Sequence, residues 1–212
     1  MSAVNIAVLA SGGGTNLQAL IDARDAGKLR NGELSIVIAS KPDAYALERA
    51  KAAGIETAMI PWKGAKSRAE FTHAIVEKLR EREVGLVILA GFLYILSPEF
   101  SENFAGRVMN VHPALIPAFS GEGCYGLHVH EQALARGVKL TGATVHFVTE
   151  ECDGGPIILQ KAVAVEEDDT PETLQLRVMR QAEWQILPEA ASLFCEGRLA
   201  IDGGRVRILP QK

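Results

Sequence analysis

A carboxamide and an imidazole stand two residues apart in the stretch MNVHPALIP, at positions 109–117. Side chains alternate along a β-strand, so Asn110 and His112 would project from the same face of a strand. Pro113 cannot donate a hydrogen bond to a sheet and would end that strand. An amide donor beside an imidazole can stabilise a developing oxyanion, and a protonated imidazole adds charge. The spacing therefore predicts two oxyanion donors at the end of a strand.

A carboxylate that could serve this imidazole lies in the later stretch VTEECDGGPI, at positions 148–157. Asp153 precedes two glycines in the loop that we expect between two strands. An acid near His112 would favour the imidazolium and fix its orientation, so we expect Asp153 to keep His112 cationic. The same residues would also suit a plain Asp-Gly turn. His146, in TVHFV, is expected to have a supporting or structural role.

A glycine-rich loop, SGGGTNL at positions 11–17, joins the first expected strand to the first expected helix. Backbone amides at a helix N-terminus attract anions, although a tight turn can hold glycines without any ligand. The loop is not a dinucleotide fingerprint, because Leu17 stands at its third glycine position and the second strand ends in Ser40-Lys41 rather than an acid. Gly-Lys-Ser/Thr, the signature of triphosphate loops, is absent from the sequence. A single phosphate on a small ligand is the better interpretation.

The composition of the chain argues against several kinds of binding partner. A net charge of −4 and a pI near 5.8 give no general attraction to nucleic acid. The apolar N-terminal stretch VNIAVLA is too short to span a bilayer, so we expect no membrane partner. The odd and scattered set of three cysteines is typical of a reducing compartment, so we expect a cytoplasmic protein. The three cysteines lack the CxxC spacing of a zinc site: Cys124, Cys152 and Cys195. His128 and His130 are two residues apart on an expected helix and would point in different directions, so we expect no metal.

Short apolar runs alternate with amphipathic stretches over the first hundred residues, a pattern typical of an α/β fold with a doubly wound, mostly parallel sheet. Two longer strands with a short link follow and predict an antiparallel edge. A long C-terminal helix should begin at Thr170-Pro171, and Pro188 should kink or end it. The tail predicts a hairpin around Asp202-Gly203-Gly204. We expect one domain over residues 1–212.

The chain resembles the folate-dependent formyltransferases, and its N-terminal glycine loop resembles that of the purine-biosynthesis branch. The segments that carry the resemblance are LASGGGTNLQAL, LAGFLYILSP, GRVMNVHPALIP, TGATVHFVTEECDGGPIILQ and the helix containing AEWQILP. They cover nearly the whole chain in the expected order. The resemblance implies a Rossmann-like formyltransferase fold, with a phosphate-binding half at about 1–110 and a folate-binding and catalytic half at about 111–212.

The activity implied by the resemblance is transfer of the formyl group of 10-formyltetrahydrofolate, the co-substrate, to the amine of glycinamide ribonucleotide. Three alternatives remain open. A formyltetrahydrofolate hydrolase would share the catalytic residues but carry an N-terminal regulatory domain. A methionyl-tRNA formyltransferase would carry a further C-terminal domain. A phosphoribosyl-ligand binding module without catalysis would leave Asn110, His112 and Asp153 unused.

The resemblance also implies roles for individual residues. The catalytic three would be Asn110, His112 and Asp153. The phosphate and the remainder of the nucleotide substrate would be contacted by Gly14, Thr15, Asn16, Arg180 and Glu183. The folate would be contacted by Arg68, Leu93, Tyr94, Ile95, Leu96, Asn110, Thr149, Glu150, Glu151, Cys152 and Asp153, with residues 93–96 acting largely through backbone.

Four features depart from the family pattern. Tyr94 stands where an arginine is usual, and Cys152 replaces an aliphatic residue. The loop Ser120–Gly126 is longer than in many members. One residue more than usual separates Arg177-Val178 from Glu183.

Overall fold

The computed structural model describes residues 2–211 of the 212-residue chain. The chain divides into two compact units, Met1–Met109 and Asn110–Lys212. Each unit contains its own strands and helices.

The first unit is built on parallel strands in the order β3-β2-β1-β4. Their bounds are β1 Val4–Ala10, β2 Gly32–Ala39, β3 Glu56–Met59 and β4 Leu86–Leu89. Residues 6–10 of β1 are fully buried, as continuous apolarity predicts for a central parallel strand.

Four helices accompany these strands: α1 Thr15–Asp25, α2 Tyr45–Ala52, α3 Arg68–Glu81 and α4 Pro98–Phe104. The α3 helix begins after Ser67, whose hydroxyl accepts a hydrogen bond from the Glu70 N–H at 3.1 Å. Sequence analysis missed α4, although Ser97-Pro98 carries the signal of a helix start.

The second unit contains the strand order β5-β6-β7. The bounds are β5 Val108–His112, which begins within the first unit's last residues, β6 Leu140–Phe147 and β7 Ile157–Ala164. The β6 and β7 strands are antiparallel, as predicted, with a register shift between Val145 and His146. The α5 helix spans Leu127–Arg136, and β8 Leu199–Asp202 and β9 Arg205–Ile208 form the predicted hairpin.

The C-terminal helical segment has three parts. The α6 helix spans Pro171–Val178, a π-helical turn spans Met179–Glu183, and α7 spans Trp184–Cys195. The Thr170 hydroxyl caps α6, and Pro171 occupies its first turn as predicted. Of the two outcomes predicted for Pro188, a kink or an end of the helix, the end is wrong, because α7 continues through Pro188 to Cys195. Pro188 and the following Ala190 and Ala191 are buried, so packing outweighs the one backbone hydrogen bond that proline removes.

The predicted fold class is confirmed: parallel strands alternate with helices, an antiparallel pair follows, and a long helical segment lies near the C-terminus. Among residues 2–211, no helix is long and apolar enough to cross a membrane.

Candidate active site

The second unit brings His112 and Asp153 together. His112 is the last residue of β5 and is 4% exposed, and its Nδ1 lies 3.5 Å from Asp153 Oδ2. Asp153 lies in the loop after β6, and its side chain is 10% exposed. The fold therefore places Asp153 close to His112, which the spacing of the two residues in the sequence could not show.

A second imidazole contacts the same carboxylate. His146 Nε2 lies 3.5 Å from Asp153 Oδ1 and 3.3 Å from Asn110 Nδ2. The His146 Nδ1–H donates to the Phe147 carbonyl at 2.9 Å, so Nε2 carries the lone pair when the ring is neutral. Neutral His146 can thus accept from Asn110, whereas protonated His146 can donate to Asp153. Sequence analysis assigned His146 only a supporting role and missed this contact.

A backbone carbonyl holds the far side of the His112 ring. The His112 Nε2–H donates to the carbonyl of Phe119 at 2.8 Å, which leaves Nδ1 to face Asp153. The Gly121 N–H donates to Asp153 Oδ2 at 2.9 Å. One short loop therefore contacts both the imidazole and the carboxylate.

Two residues of this group adopt a backbone conformation that non-glycine residues rarely populate. Phe119 has φ 51° and Asp153 has φ 55°. A left-handed conformation costs on the order of 1–3 kcal/mol, and such residues cluster where function constrains the chain. The strain lies at the two residues whose oxygen atoms contact His112.

Burial and charge act in opposite directions on His112. Burial lowers the pKa of His112, and the neighbouring Asp153 charge raises it by less, so the net pKa lies below its ordinary value. The imidazole is therefore neutral at pH 7 in the free protein, contrary to the expectation of a cation. Burial raises the pKa of Asp153. Hydrogen bonds from His146 and the Gly121 N–H, together with the His112 charge, lower it by a larger amount, so the net pKa lies below its ordinary value. Asp153 is ionised at neutral pH.

Thr144 of β6 fixes the chain that follows β5. Its hydroxyl donates to the Ala114 carbonyl at 2.7 Å and accepts from the Ile116 N–H at 3.1 Å. Gln160 Nε2, across the antiparallel pair, also donates to Thr144 Oγ1 at 2.9 Å. These bonds hold the segment after His112 against β6.

The loop that carries Asp153 requires a glycine at position 155. A Cβ at Gly155 would lie 1.8 Å from the Phe147 carbonyl oxygen, so only glycine fits there. The four preceding predicted folate contacts are exposed: Thr149, Glu150, Glu151 and Cys152. A cavity of about 750 Å³ is lined by this loop, by Ser120 and Gly121, and by Arg205 of the hairpin.

In the first unit, the glycine loop packs against the start of α2. Gly14 has φ 71° and caps α1, and a Cβ there would lie 2.8 Å from the Cα of Ala46. The Gly13 carbonyl accepts from Arg49 Nε at 2.9 Å. Gly12 and Gly13 are exposed, Thr15 is partly exposed and Asn16 is buried. The loop thus presents backbone at the N-terminus of α1, where anions bind readily.

The predicted folate-contact segment of the first unit, Leu93–Leu96, lies in neither helix nor strand. The Leu93 N–H donates to the Ser11 hydroxyl at 3.1 Å, which ties this segment to the start of the glycine loop. Ser11 was not among the predicted site residues. Leu93 and Ile95 are 54% and 65% exposed.

Tyr94 belongs to an aromatic cluster. Its ring stacks on Trp62 with centroids 5.5 Å apart and also contacts Phe71 at 5.6 Å. A tyrosine in the usual arginine position therefore uses its side chain for packing. Arg68, at the first position of α3, is exposed.

The remaining predicted contacts lie in the π-turn. Glu183 is 3% exposed, whereas Arg180 is exposed, so their side chains do not share one buried face.

In α5, His128 pairs with Glu131 at 2.8 Å and His130 is fully buried. Within residues 2–211, no group of three or more His, Cys, Asp or Glu residues gathers that could hold a metal.

Comparison with known proteins places these features in context. A family model described as formyl transferase matches residues 4–191. Phosphoribosylglycinamide formyltransferase of Escherichia coli (strain K12) is 43% identical over 196 residues, which cover 92% of this chain and 89% of that protein.

Solved structures show the same likeness. Glycinamide ribonucleotide transformylase 1 from Symbiobacterium toebii has a TM-score of 0.92 and 46% identity, covering 98% of this chain and 95% of that chain. A formyltetrahydrofolate deformylase from Pseudomonas syringae pv. tomato has a TM-score of 0.87 and 25% identity, covering 99% of this chain and 67% of that chain. The similarity is higher to the transformylase than to the deformylase, in sequence and in the share of the other chain covered.

Proposed function

Because the chain belongs to the formyl transferase family, we propose that it transfers the formyl group of 10-formyltetrahydrofolate to the amine of glycinamide ribonucleotide. The reaction is a step of de novo purine biosynthesis, and both substrates are small molecules. The folate is a co-substrate that supplies the one-carbon unit. The observation that carries the proposal is the 43% identity, over 92% of the chain, to a phosphoribosylglycinamide formyltransferase.

The proposed reaction begins when the substrate amine attacks the formyl carbon. A carbon–nitrogen bond forms, and the carbonyl electron pair moves onto oxygen. The Asn110 amide and the His112 ring donate hydrogen bonds to this oxyanion. The intermediate collapses by breaking the bond to folate N10, which receives the proton that the amine gives up. Asp153 orients His112 and accepts charge-assisted hydrogen bonds during that proton movement.

The neutral state of His112 in the free protein supports a mechanism in which charge appears only with the intermediate. A nearby oxyanion raises the pKa of an imidazole, because it favours the charged form. A solvent proton taken up at Nδ1, and returned to solvent when the intermediate collapses, would then pair with Asp153 Oδ2, which already lies 3.5 Å away. Burial thus keeps the resting ring neutral, and Asp153 receives the imidazolium when it forms.

The Nε2–H of His112 must also change partner in this mechanism. It donates to the Phe119 carbonyl in the free protein. The oxyanion would take the place of that carbonyl as the acceptor. Phe119, whose carbonyl the oxyanion would replace, has a left-handed backbone conformation with φ 51°.

The substrates would be held by separate groups of residues. The exposed backbone of the glycine loop, with Gly14, Thr15 and Asn16, would bind the single phosphate. Glu183, with Arg180 nearby in sequence, would contact the remainder of the nucleotide. The folate would be bound by Arg68, Asn110, residues 93–96 and residues 149–153. Residues 1–212 would form one catalytic domain with a phosphate-binding half and a folate-binding half, working in the cytoplasm.

The test is to follow deformylation of 10-formyltetrahydrofolate with and without glycinamide ribonucleotide. We expect turnover that requires the ribonucleotide and produces the formylated ribonucleotide in equal amount. Equal rates in both conditions would instead identify a hydrolase. No turnover in either condition, with ribonucleotide binding retained, would identify a non-catalytic binding module.

A further inference from the structure

The C-terminal helical segment buries a series of residues that would drift around the axis of a straight α-helix. Buried positions recur every four residues: Leu174, Val178, Ala182, Ile186 and Ala190. Four residues of α-helix rotate about 400°, so each step drifts by about 40° and the whole series by about 160°. A turn that winds by less per residue would reduce this drift.

The π-turn at Met179–Glu183 supplies that correction. The Trp184 N–H bonds to the carbonyl of Met179, five residues before it, instead of to Arg180, four residues before it. A turn of this kind holds one more residue than an α-turn and so removes about 100° of rotation. The resemblance to the folate-dependent formyltransferases implies one residue more than usual before Glu183, and a turn of this kind can hold it.

The π-turn determines the direction of the Glu183 side chain. In an unbroken α-helix, Glu183 would lie about 140° around the axis from Val178, five residues earlier. With the π-turn, the separation falls to about 40°, which places Glu183 beside the buried stripe. Its exposure of 3% agrees with that placement.

A side chain replaces the hydrogen bond that the π-turn removes. The Arg180 carbonyl, which an α-helix would pair with the Trp184 N–H, accepts from Gln185 Nε2 at 3.0 Å. The other end of that amide, Gln185 Oε1, accepts from Lys161 Nζ of β7. The amide of Gln185 therefore bridges the widened turn to the neighbouring strand.

We propose that this π-turn, held open by Gln185 and Lys161, positions Glu183 for the nucleotide substrate. The inference rests on the proposed function, in which Glu183 contacts glycinamide ribonucleotide. Gln185 is then a positioning residue for one substrate and has no part in binding the folate.

Steady-state kinetics of three variants test the proposal. In Gln185→Ala and Gln185→Glu, we expect the KM for glycinamide ribonucleotide to rise about tenfold, while kcat and the KM for 10-formyltetrahydrofolate stay unchanged. The glutamate keeps the acceptor for Lys161 but cannot donate to the Arg180 carbonyl, so it isolates that bond. Gln181→Ala, an exposed glutamine within the same turn, is the matched control and should leave every constant unchanged.

Deletion of Gln181 supplies an independent readout. The shortened segment can form a continuous α-helix, in which the Arg180 carbonyl regains a backbone partner. Adding Gln185→Ala to the deletion should then cause no further rise in KM. A full tenfold rise in that background, or unchanged KM in both Gln185 variants, would overturn the proposal.

Glu183→Gln separates this proposal from the function on which it rests. If this change leaves the KM for glycinamide ribonucleotide unaltered, the substrate role of Glu183 fails. If it raises that KM while both Gln185 variants behave as the parent, only the positioning role fails.

Discussion

Two carboxylates of the second unit, Asp153 and Asp169, both have lowered pKa values, yet their surroundings differ. Asp169 is held by the Arg177 guanidinium, at 2.7 Å for one pair, by the Thr173 hydroxyl and by the Glu166 N–H. Asp153 faces two imidazoles at 3.5 Å. Arginine is always charged, whereas an imidazole changes charge near neutral pH.

The difference separates a structural ion pair from a group suited to chemistry. The hydrogen bonds of Asp169 join the start of α6 to the preceding loop. Each partner lies at hydrogen-bonding distance, and none of them changes its charge near neutral pH. Asp153 accepts one short hydrogen bond from the Gly121 N–H, but its contacts with the two imidazoles are longer, and an imidazole can gain or lose a proton. The backbone is strained at Phe119 and Asp153. A lowered carboxylate pKa alone therefore does not indicate catalysis. A partner that can change its charge, such as an imidazole, is the better indication.

Asp153→Asn should have the largest effect on turnover. Loss of an oxyanion donor or of the group that orients it typically costs on the order of 10²–10³ in kcat. We expect this loss in Asp153→Asn and in His112→Ala, with both variants still folded at the temperature of the assay. Near-parental kcat in either variant would reject the proposed catalytic roles. Asp169→Asn, the matched change of carboxylate to amide, should keep kcat.

His130 should make stability depend on pH without affecting chemistry. It is fully buried, and within the described part of the chain neither ring nitrogen has a hydrogen-bond partner. Burial, with a smaller effect of His112, lowers the pKa of His130 from 6.5 to about 4. The unfolded chain therefore binds a proton near pH 6.5 that the folded chain binds only near pH 4. Stability should fall by about 3 kcal/mol between these values as pH decreases.

Denaturant titrations at pH 7 and pH 4.5 would measure this dependence. His130→Leu should remove most of the slope between the two values. A slope equal to that of the parent would show that His130 is not its source.

Gly14→Ala should weaken the first unit in a way that pH does not alter, because no titratable group is involved. The added Cβ would lie 2.8 Å from Ala46, on a residue with φ 71°. We expect a loss of about 2–3 kcal/mol in unfolding free energy, together with a higher KM for the ribonucleotide. Gly13→Ala has open space at its Cβ and is the matched control. Equal stability of the two variants would contradict the close packing of the loop on α2.

Asp169→Asn should show the smallest effect, on stability alone. The Arg177 hydrogen bond is the main cause that lowers the pKa of Asp169 from 3.8 to about 2. The stabilisation is therefore present above pH 3.8 and is lost as pH falls through about 2. At pH 7 we expect a loss of about 2 kcal/mol, measured by denaturant unfolding. A deficit that persisted unchanged at pH 2 would rule out this ion pair as its source.

Sequence patterns predicted the positions of the site residues better than their contacts and protonation states. Asn110 and His112 followed from strand alternation and a terminating proline, and the loop around Asp153 from its glycines. His146 was missed because its contact depends on the register shift after Val145, and such shifts re-aim side chains without a clear sequence signal. The neutral state of His112 depends on burial, which spacing does not reveal. The π-turn was missed because its residues suit an ordinary α-helix.

The central claim is that Asp153 controls the protonation of a buried His112. The most direct measurement is the NMR titration of the His112 ring in the parent, in Asp153→Asn and in Asp169→Asn. The account predicts a parent pKa below 6.5, a lower value still in Asp153→Asn, and the parent value in Asp169→Asn. A His112 pKa that does not change when Asp153 loses its charge would contradict it.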